Sequence, residues 1–179
     1  IPFEHRPNII NPIRGYLSSA NQNPTDKSYP YYLSEYFAPS YRATQINVRL
    51  DTLYNATIND MIDIQLDNSY LFAKNILPVL LNTIAIESKE DTSWVKILKK
   101  WDYKYDKTSI AATFFEEWMI KLTNNTWQDN FDNINNKYIW PELDKLEELI
   151  IKDTNSKWFD DNNTPQIETL LEISNKSFR

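Results

Sequence analysis

A single glycine, Gly15, stands in this chain of 179 residues and limits the folds that the sequence can form. The tight turns of β-hairpins need backbone angles that glycine adopts readily, and asparagine replaces it only in some turns. A fold that is rich in hairpins is therefore disfavoured. Gly15 itself is expected to take backbone angles that other residues avoid.

Apolar residues after position 40 recur every three or four positions, which is typical of helices. Capping and proline signals predict where these helices start: Ser40, Thr57, Ser69 or Tyr70, Asp91 or Thr92, Thr108 or Ser109, Thr126, Pro141 and Thr164. The third helix is expected to reach about Ile86 with a kink near Pro78. Residues Thr126 to Ile134 are expected to form a separate short helix.

The N-terminal part of the chain lacks this helical spacing. Tyr16 to Ala20 predicts a short strand, and the proline-rich stretch from Asn21 to Pro39 predicts an ordered but irregular loop. We therefore predict a single, mainly α fragment over residues 1–179. Residues 1–40 would form an extended or β segment with a loop, and residues 41–179 would be helical.

Composition excludes several classes of function. The formal net charge is -6 and the sequence has no basic stripe, which argues against a nucleic-acid partner. No apolar run approaches the roughly 20 residues that a membrane-spanning helix needs, so no membrane partner is predicted. The chain has no cysteine, which excludes disulfides and thiolate metal sites.

Conventional catalytic groups are scarce. The lone histidine, His5, lies near the chain terminus, where segments are usually loosely held, and is a poor candidate for a triad or a metal site. Adjacent acidic residues on a helix point in different directions and are interpreted as solvated surface: Glu116-Glu117, Glu147-Glu148 and Asp160-Asp161. Three further acids lack the glycine and the terminal glutamate of a calcium loop and are interpreted as a solvent-facing stripe: Asp60, Asp63 and Asp67. Three tryptophans at helical positions are interpreted as core: Trp94, Trp101 and Trp118.

The region from Asn11 to Arg42 offers the remaining candidate site. It contains the polar loop Asn21-Gln22-Asn23-Pro24 and an arginine near the start of the next helix. The side-chain amide of Asn21 and the guanidinium of Arg42 could converge and stabilise an oxyanion. The alternatives are an Asx turn at Asn21 and an ordinary surface ion pair at Arg42, and spacing alone favours these structural roles.

Several motifs follow one another in this region: Asn11-Pro12, Gly15-Tyr16, Ala20-Asn21-Gln22, Tyr29-Pro30, Tyr36-Phe37-Ala38 and Tyr41-Arg42-Ala43. Further segments continue the pattern: Thr57-x-x-Asp60-Met61, Ile64-Gln65-x-Asp67, Leu77-Pro78-x-Leu80-Leu81 and Leu98-x-x-Trp101-Asp102. Together they resemble part of the β chain of penicillin acylases (penicillin amidases), a family of N-terminal-nucleophile hydrolases. The resemblance covers about residues 1–123.

The resemblance implies an amide hydrolase. In that family a serine at the N-terminus of the β chain attacks the amide carbonyl, and its own α-amine acts as the base. The resemblance places the oxyanion-donating asparagine at Asn21 and the site arginine at Arg42, which would orient the asparagine, the nucleophile or the substrate. Tyr36 or Phe37 would lie near the wall of the acyl pocket. Most of the family's αββα sandwich would lie elsewhere in the protein.

The chain begins with Ile1 rather than methionine, so we expect a processed, excised or trimmed chain. It does not begin with the family's serine, so we expect it to be inactive alone. Its partners would be the remainder of the same precursor, namely the α chain and the N-terminal part of the β chain. The substrate would be a small-molecule amide, and β-lactam, acyl-homoserine lactone and lipopeptide substrates all remain open. The resemblance implies a periplasmic or secreted location.

No cofactor is expected in this chain. Many members of the family carry an acidic calcium ligand just after the Tyr-Pro pair, whereas Tyr31 and Tyr32 follow Tyr29-Pro30 here. Any calcium ion would therefore belong to the intact enzyme rather than to this segment. A second hypothesis is a non-catalytic helical interaction or accessory domain, which keeps the family's surface around residues 20–42 without its chemistry.

Overall fold

The computed structural model describes residues 1–131 and 140–179, and these residues are mainly helical. The α-helices among them are α1 (Tyr41–Asp51), α2 (Ile58–Gln65), α3 (Leu71–Thr83), α4 (Lys89–Lys99), α5 (Ile110–Phe131), α6 (Leu143–Lys152) and α7 (Leu170–Phe178). Short 3₁₀ turns occur at Phe3–His5 and Lys157–Phe159. These two stretches of chain contain no sheet, although an isolated bridge pairs Ser69 with Lys104. The prediction of a mainly α fold is confirmed.

The chain divides into two compact units, Ile1–Asp67 and Asn68–Arg179. The first unit contains the N-terminal segment with α1 and α2, and the second contains α3 to α7. The first α-helix begins at Tyr41, where the sequence predicts the change from loop to helix. That residues 1–179 act as one fragment of a larger β chain stays a prediction.

The N-terminal segment reaches α1 without forming a strand. The prediction of a short strand at Tyr16 to Ala20 is not confirmed. The hydroxyl groups of Tyr16 and Ser18 pair instead with side chains of α1. Ala20 and Ala43 are buried in this unit. Gly15 has a φ angle of 77°, which confirms the prediction that it adopts backbone angles other residues avoid.

The second helix of this unit begins with the predicted capping box. The Thr57 hydroxyl accepts from the Asp60 amide while the Asp60 carboxylate accepts from the Thr57 amide. The interpretation of Asp67 as part of a solvent-facing acidic stripe is wrong. Its side chain is only 7% exposed and pairs with the Arg49 guanidinium of α1 at 3.0 Å, because a buried carboxylate needs a cationic partner.

Among the described helices, α5 is the longest and contributes more buried apolar side chains to the core of the second unit than any other. It contacts α4 and α7, while α3 contacts α6 and α7. Fully buried side chains on α5 include Phe115, Trp118, Leu122 and Trp127. The predicted separate helix from Thr126 is wrong, since Thr126 lies within α5 and its hydroxyl donates to the Leu122 carbonyl at 2.7 Å. Residues 132–134 of that predicted helix lie outside the described residues.

Two helices of the second unit begin at residues other than those predicted. Ser88, not Asp91 or Thr92, is the N-cap of α4, and Asp91 closes the capping box three residues later. Thr169, not Thr164, is the N-cap of α7, where Glu172 closes the box. In both places the helix starts at the hydroxyl residue that is followed three positions later by an acid, since that pair satisfies two backbone donors.

The other helix bounds agree with the sequence to within a few residues. α5 begins directly after Ser109, as predicted, and α6 begins two residues after Pro141. α3 contains Pro78 and ends at Thr83 rather than Ile86. The Asn175 side chain donates to the Thr83 carbonyl at 2.6 Å and so occupies one of the carbonyls left free at this helix end.

Two of the three tryptophans lie in the core as predicted, whereas the third, Trp94, is half-buried. Trp101 and Trp118 are buried, and Trp94 stacks on Phe114 with ring centroids 4.1 Å apart. Aromatic pairs of this kind add to the stability gained by burial. None of the described helices is both long and apolar enough to cross a membrane.

Truncation of the α5 core should destabilise the protein strongly. Leu122→Ala removes a fully buried side chain and should lower the free energy of unfolding by about 2–5 kcal/mol through lost burial and an unfilled cavity. The matched control is Ile120→Ala on the same helix, because that side chain is 47% exposed. Denaturant unfolding followed by circular dichroism measures both, and equal losses would contradict this assignment of the core.

The capping carboxylates should make stability fall in acid. Hydrogen bonds from Glu87 and Ser88 hold the pKa of Asp91 below its usual value, and hydrogen bonds from Thr169 lower the pKa of Glu172. Each group has a lower pKa in the folded state than in the unfolded state. Its stabilisation is therefore complete above the unfolded pKa of about 4 and is lost as the pH falls through the folded value.

Asp91→Asn should flatten this acid dependence below pH of about 4, because the group that titrates is gone. Glu90→Gln is the control, since it removes a carboxylate from the same turn without removing the cap. The measurement is the free energy of unfolding between pH 7 and 2. Identical acid profiles for Asp91→Asn and the unmodified protein would refute this role.

Candidate active site

Asn21 and Arg42 meet in the first unit. The Nη2 group of Arg42 donates to Oδ1 of Asn21 at 2.6 Å and approaches the carbonyl oxygen of Ala20 at 3.4 Å. A guanidinium has donors and no acceptor, so it must face the oxygen of the asparagine amide. This contact fixes the orientation of the amide and directs Nδ2, with its two protons, away from Arg42.

The backbone of Asn21 is in the left-handed region. Its φ angle is 65°, which asparagine tolerates better than other residues with a Cβ. The Asn21 carbonyl accepts from the amide of Ala38 at 2.9 Å, so the loop closes on this residue. Just before it, the Ala20 amide donates to Oε1 of Gln22 at 2.7 Å. The position of Asn21 is therefore determined by backbone contacts as well as by Arg42.

The contacts of Asn21 and Arg42 differ from the two structural alternatives, an Asx turn and a surface ion pair. An Asx turn is present at Asn23, whose Oδ1 accepts from the Thr25 amide at 3.0 Å. Arg42 donates to the amide oxygen of Asn21 and approaches the carbonyl oxygen of Ala20, and both are neutral partners. Arg42 is the second residue of α1, so the helix start fixes where its side chain begins.

Tyr36 and Phe37, the predicted acyl-pocket residues, lie one and two positions before Ala38. The backbone hydrogen bond from Ala38 to Asn21 therefore places their chain next to the candidate site. Tyr36 is 59% exposed and Phe37 is half-buried. That they form the wall of an acyl pocket stays a prediction.

An open cavity of about 650 Å³ lies beside the same loop. Its walls combine the apolar side chains of Ile9 and Leu17 with polar groups of Ser18, Ser19 and Gln22. Neither Tyr36 nor Phe37 belongs to its lining. The cavity offers space for a small molecule next to Ser19 and Gln22, which flank the Ala20-Asn21 pair in the sequence.

A set of contacts between the N-terminal segment and α1 was not found from the sequence. The Tyr16 hydroxyl donates to the Asp51 carboxylate at 2.6 Å, and the Ser18 hydroxyl donates to Oδ1 of Asn47 at 2.6 Å. The pairing with Asp51 also raises the pKa of Tyr16 above its usual value. The sequence does contain a signal for these contacts. Tyr16 and Ser18 are two residues apart in the segment, and Asn47 and Asp51 are four residues apart in the helix.

Among the described residues, the other candidate polar groups form surface contacts and ion pairs. Nδ1 of His5 pairs with the Tyr31 hydroxyl at 2.5 Å, on the surface. Two of the acidic pairs are engaged in ion pairs, between Glu148 and Lys145 and between Asp161 and Lys176. Across residues 1–131 and 140–179, no group of three or more histidine and acidic side chains could hold a metal ion.

Comparison with known families supports the assignment of the sequence motifs in residues 1–123 to one family. The family model described as penicillin amidase matches residues 1–179, which is the whole chain. The chain belongs to the penicillin amidase family, a family of amide hydrolases. The resemblance recognised over residues 1–123 is therefore confirmed, and the match extends it through the helices that follow.

The left-handed backbone at Asn21 predicts a graded effect of substitution on stability. Asn21→Ala should lower the free energy of unfolding by about 1–2 kcal/mol, because a residue with a Cβ and no polar group is disfavoured there. Asn21→Gly should cost less, since glycine has no such penalty. Thermal unfolding measures the difference, and a glycine variant less stable than the alanine variant would contradict the assigned conformation.

Proposed function

We propose that this chain supplies the oxyanion-stabilising part of a penicillin acylase-type amide hydrolase. The contact between Arg42 and Asn21 is the observation that carries this proposal. Because Arg42 engages the oxygen of the amide, the Asn21 Nδ2 group is the part left to donate to a substrate. A preorganised donor of this kind stabilises the negative charge that develops on a carbonyl oxygen under attack.

The proposed reaction proceeds through an acyl-enzyme. A serine hydroxyl from another part of the same precursor attacks the amide carbonyl, and the α-amine of that serine takes its proton. The carbonyl π electrons move to oxygen, and Asn21 donates to the resulting oxyanion. The oxyanion then collapses, the C–N bond breaks, and the leaving amine takes the proton that the α-amine had accepted. Water next attacks the acyl-enzyme with the α-amine as base, and the carboxylic acid leaves as the serine hydroxyl takes that proton back. This chain alone is expected to be inactive.

Arg42 has two roles in this proposal. First, it holds the amide of Asn21 in one orientation, so no free energy is spent on reorienting it during the reaction. Second, its positive charge polarises the amide through Oδ1, which strengthens the Nδ2 donor because linked hydrogen bonds reinforce one another. Tyr36 or Phe37 would contact the acyl group from the loop that Ala38 joins to Asn21.

The wider assignments follow from the family and remain part of this proposal. The partners would be the α chain and the remainder of the β chain, and the substrate would be a small acyl amide of the β-lactam, homoserine-lactone or lipopeptide type. We propose a periplasmic or secreted location. Any calcium ion would be bound by the intact enzyme outside this segment.

Exposed apolar side chains in the first unit are consistent with the second candidate, a non-catalytic interaction domain. Phe3, Ile10 and Ile13 are almost fully exposed, which suits a surface that another chain covers. The enzyme hypothesis needs such a covering chain as well, so this surface does not separate the two. A measurement of catalytic activity in the intact protein separates the two hypotheses.

Asn21→Asp is the sharpest test of the oxyanion role. Aspartate accepts from Arg42 as asparagine does and tolerates the left-handed backbone, but it replaces the donor with a negative charge. In the intact enzyme, kcat for a chromogenic acyl amide should fall by about 100- to 1000-fold or more, because an oxyanion donor is lost. Thermal unfolding should change little.

The matched control is Asn11→Asp. Asn11 is also an exposed asparagine with a left-handed backbone, at φ 48°, and the substitution adds the same charge. Its kcat should stay within about two-fold of the unmodified enzyme. Unchanged turnover in Asn21→Asp, or equal losses in the two variants, would refute the oxyanion role, whereas an unmodified intact protein without activity would favour the interaction domain.

A further inference from the structure

Alternate residues of the N-terminal segment contact α1 on successive turns of the helix. The Tyr16 hydroxyl donates to the Asp51 carboxylate at 2.6 Å. The Ser18 hydroxyl donates to Oδ1 of Asn47, also at 2.6 Å. The Ala20 carbonyl is approached by the Arg42 guanidinium at 3.4 Å. We call these three contacts the segment–helix ladder.

The steps of the two partners match in length. Two residues of extended chain advance about 6.6 Å, while four or five residues of an α-helix advance about 6–7.5 Å. The helix partners are spaced by four and five residues, and they occur in reverse order along the chain. The segment therefore runs antiparallel to α1. Once one contact is formed, the next pair of residues along the segment and the helix lies opposite each other.

Asn47 forms the middle contact and accepts hydrogen bonds from several residues of the segment. Its Oδ1 accepts from Ser18 and, at 3.4 Å, from the Arg14 guanidinium, while its backbone oxygen accepts from the Tyr16 hydroxyl at 3.3 Å. Arg14 also lies over the Tyr16 ring at 4.6 Å and donates to the Tyr16 carbonyl. The middle contact thus joins three segment residues to one helix residue.

We propose that Ser18 and Asn47 are positioning residues that set the register of Asn21 against Arg42. This inference rests on the proposed function. Asn21 follows the last contact directly, so its amide meets Arg42 only while the segment keeps its register. Without the middle contact, the nearest side-chain hydrogen bond that precedes Ala20 on the segment is the one made by Tyr16. An error of about 1 Å in a reacting geometry can cost about 100-fold in rate.

The test is Asn47→Ala in the intact enzyme. We expect kcat to fall by about 10- to 100-fold, as misplaced catalytic groups do, while KM stays within about two-fold. Asn47→Asp keeps the oxygen that accepts from Ser18 and Arg14, so it should restore most of kcat. Ser18→Ala removes only one hydroxyl and should show the same loss of kcat. It therefore tests the inference even if the Asn47 variant folds poorly. The double variant Ser18→Ala/Asn47→Ala should be no slower than Asn47→Ala, because both remove the same contact.

Arg49→Met is the control for a merely structural effect. It breaks a polar contact of α1 outside the ladder, the ion pair with Asp67 at 3.0 Å, and should lower thermal stability with kcat within about two-fold. Equal kcat losses in Arg49→Met and Asn47→Ala would overturn the inference, as would failure of Asn47→Asp to recover kcat.

The Asn21→Asp variant separates the two proposals. If Asn21→Asp loses activity while Asn47→Ala and Ser18→Ala retain full kcat, the positioning inference is wrong and the oxyanion role stands. If Asn21→Asp is fully active, the proposed function is wrong and the inference falls with it.

Discussion

The arrangement of the candidate site depends on one chemical asymmetry, which is that a guanidinium donates hydrogen bonds and never accepts them. Arg42 must therefore meet the oxygen of the Asn21 amide, and the nitrogen of that amide is directed elsewhere. An isolated asparagine on a surface loop would rotate freely and present either end. The contact turns it into a donor of fixed direction, and the left-handed backbone of Asn21 together with the Ala38 hydrogen bond fixes its location.

The first helix links this site to the rest of its unit. Arg42 lies at its start, Asn47 and Asp51 receive the N-terminal segment, and Arg49 pairs with the buried carboxylate that follows α2. The unit has few buried apolar side chains, so these polar contacts carry much of its specificity. The second unit is different, because α5 buries large aromatic and aliphatic side chains there.

The sequence predicted the helices well because their signals are local. The box at Thr57 and Asp60 was found directly, whereas Asp91 was mistaken for a cap when it closes the box begun by Ser88. Thr126 resembled a cap, but burial of Trp127 and its neighbours carries α5 through it. Asn21 and Arg42 were proposed as site residues from family motifs, since spacing alone favoured structural roles. The segment–helix ladder was missed because it joins a period of two with a period near four, and a search for one period at a time does not detect it.

The turns between Asn23 and Ser28 close on themselves, through short bonds at Asn23 and Asp26. Tyr29 and Tyr31, which follow, contact His5 rather than α1. Chain length can therefore change between Pro24 and Glu35 without altering the register of the residues on either side. By contrast, one inserted residue between Tyr16 and Ala20 would turn every later side chain to the opposite face. Loop length can thus change the rim of the candidate site while the geometry of Asn21 and Arg42 stays constant.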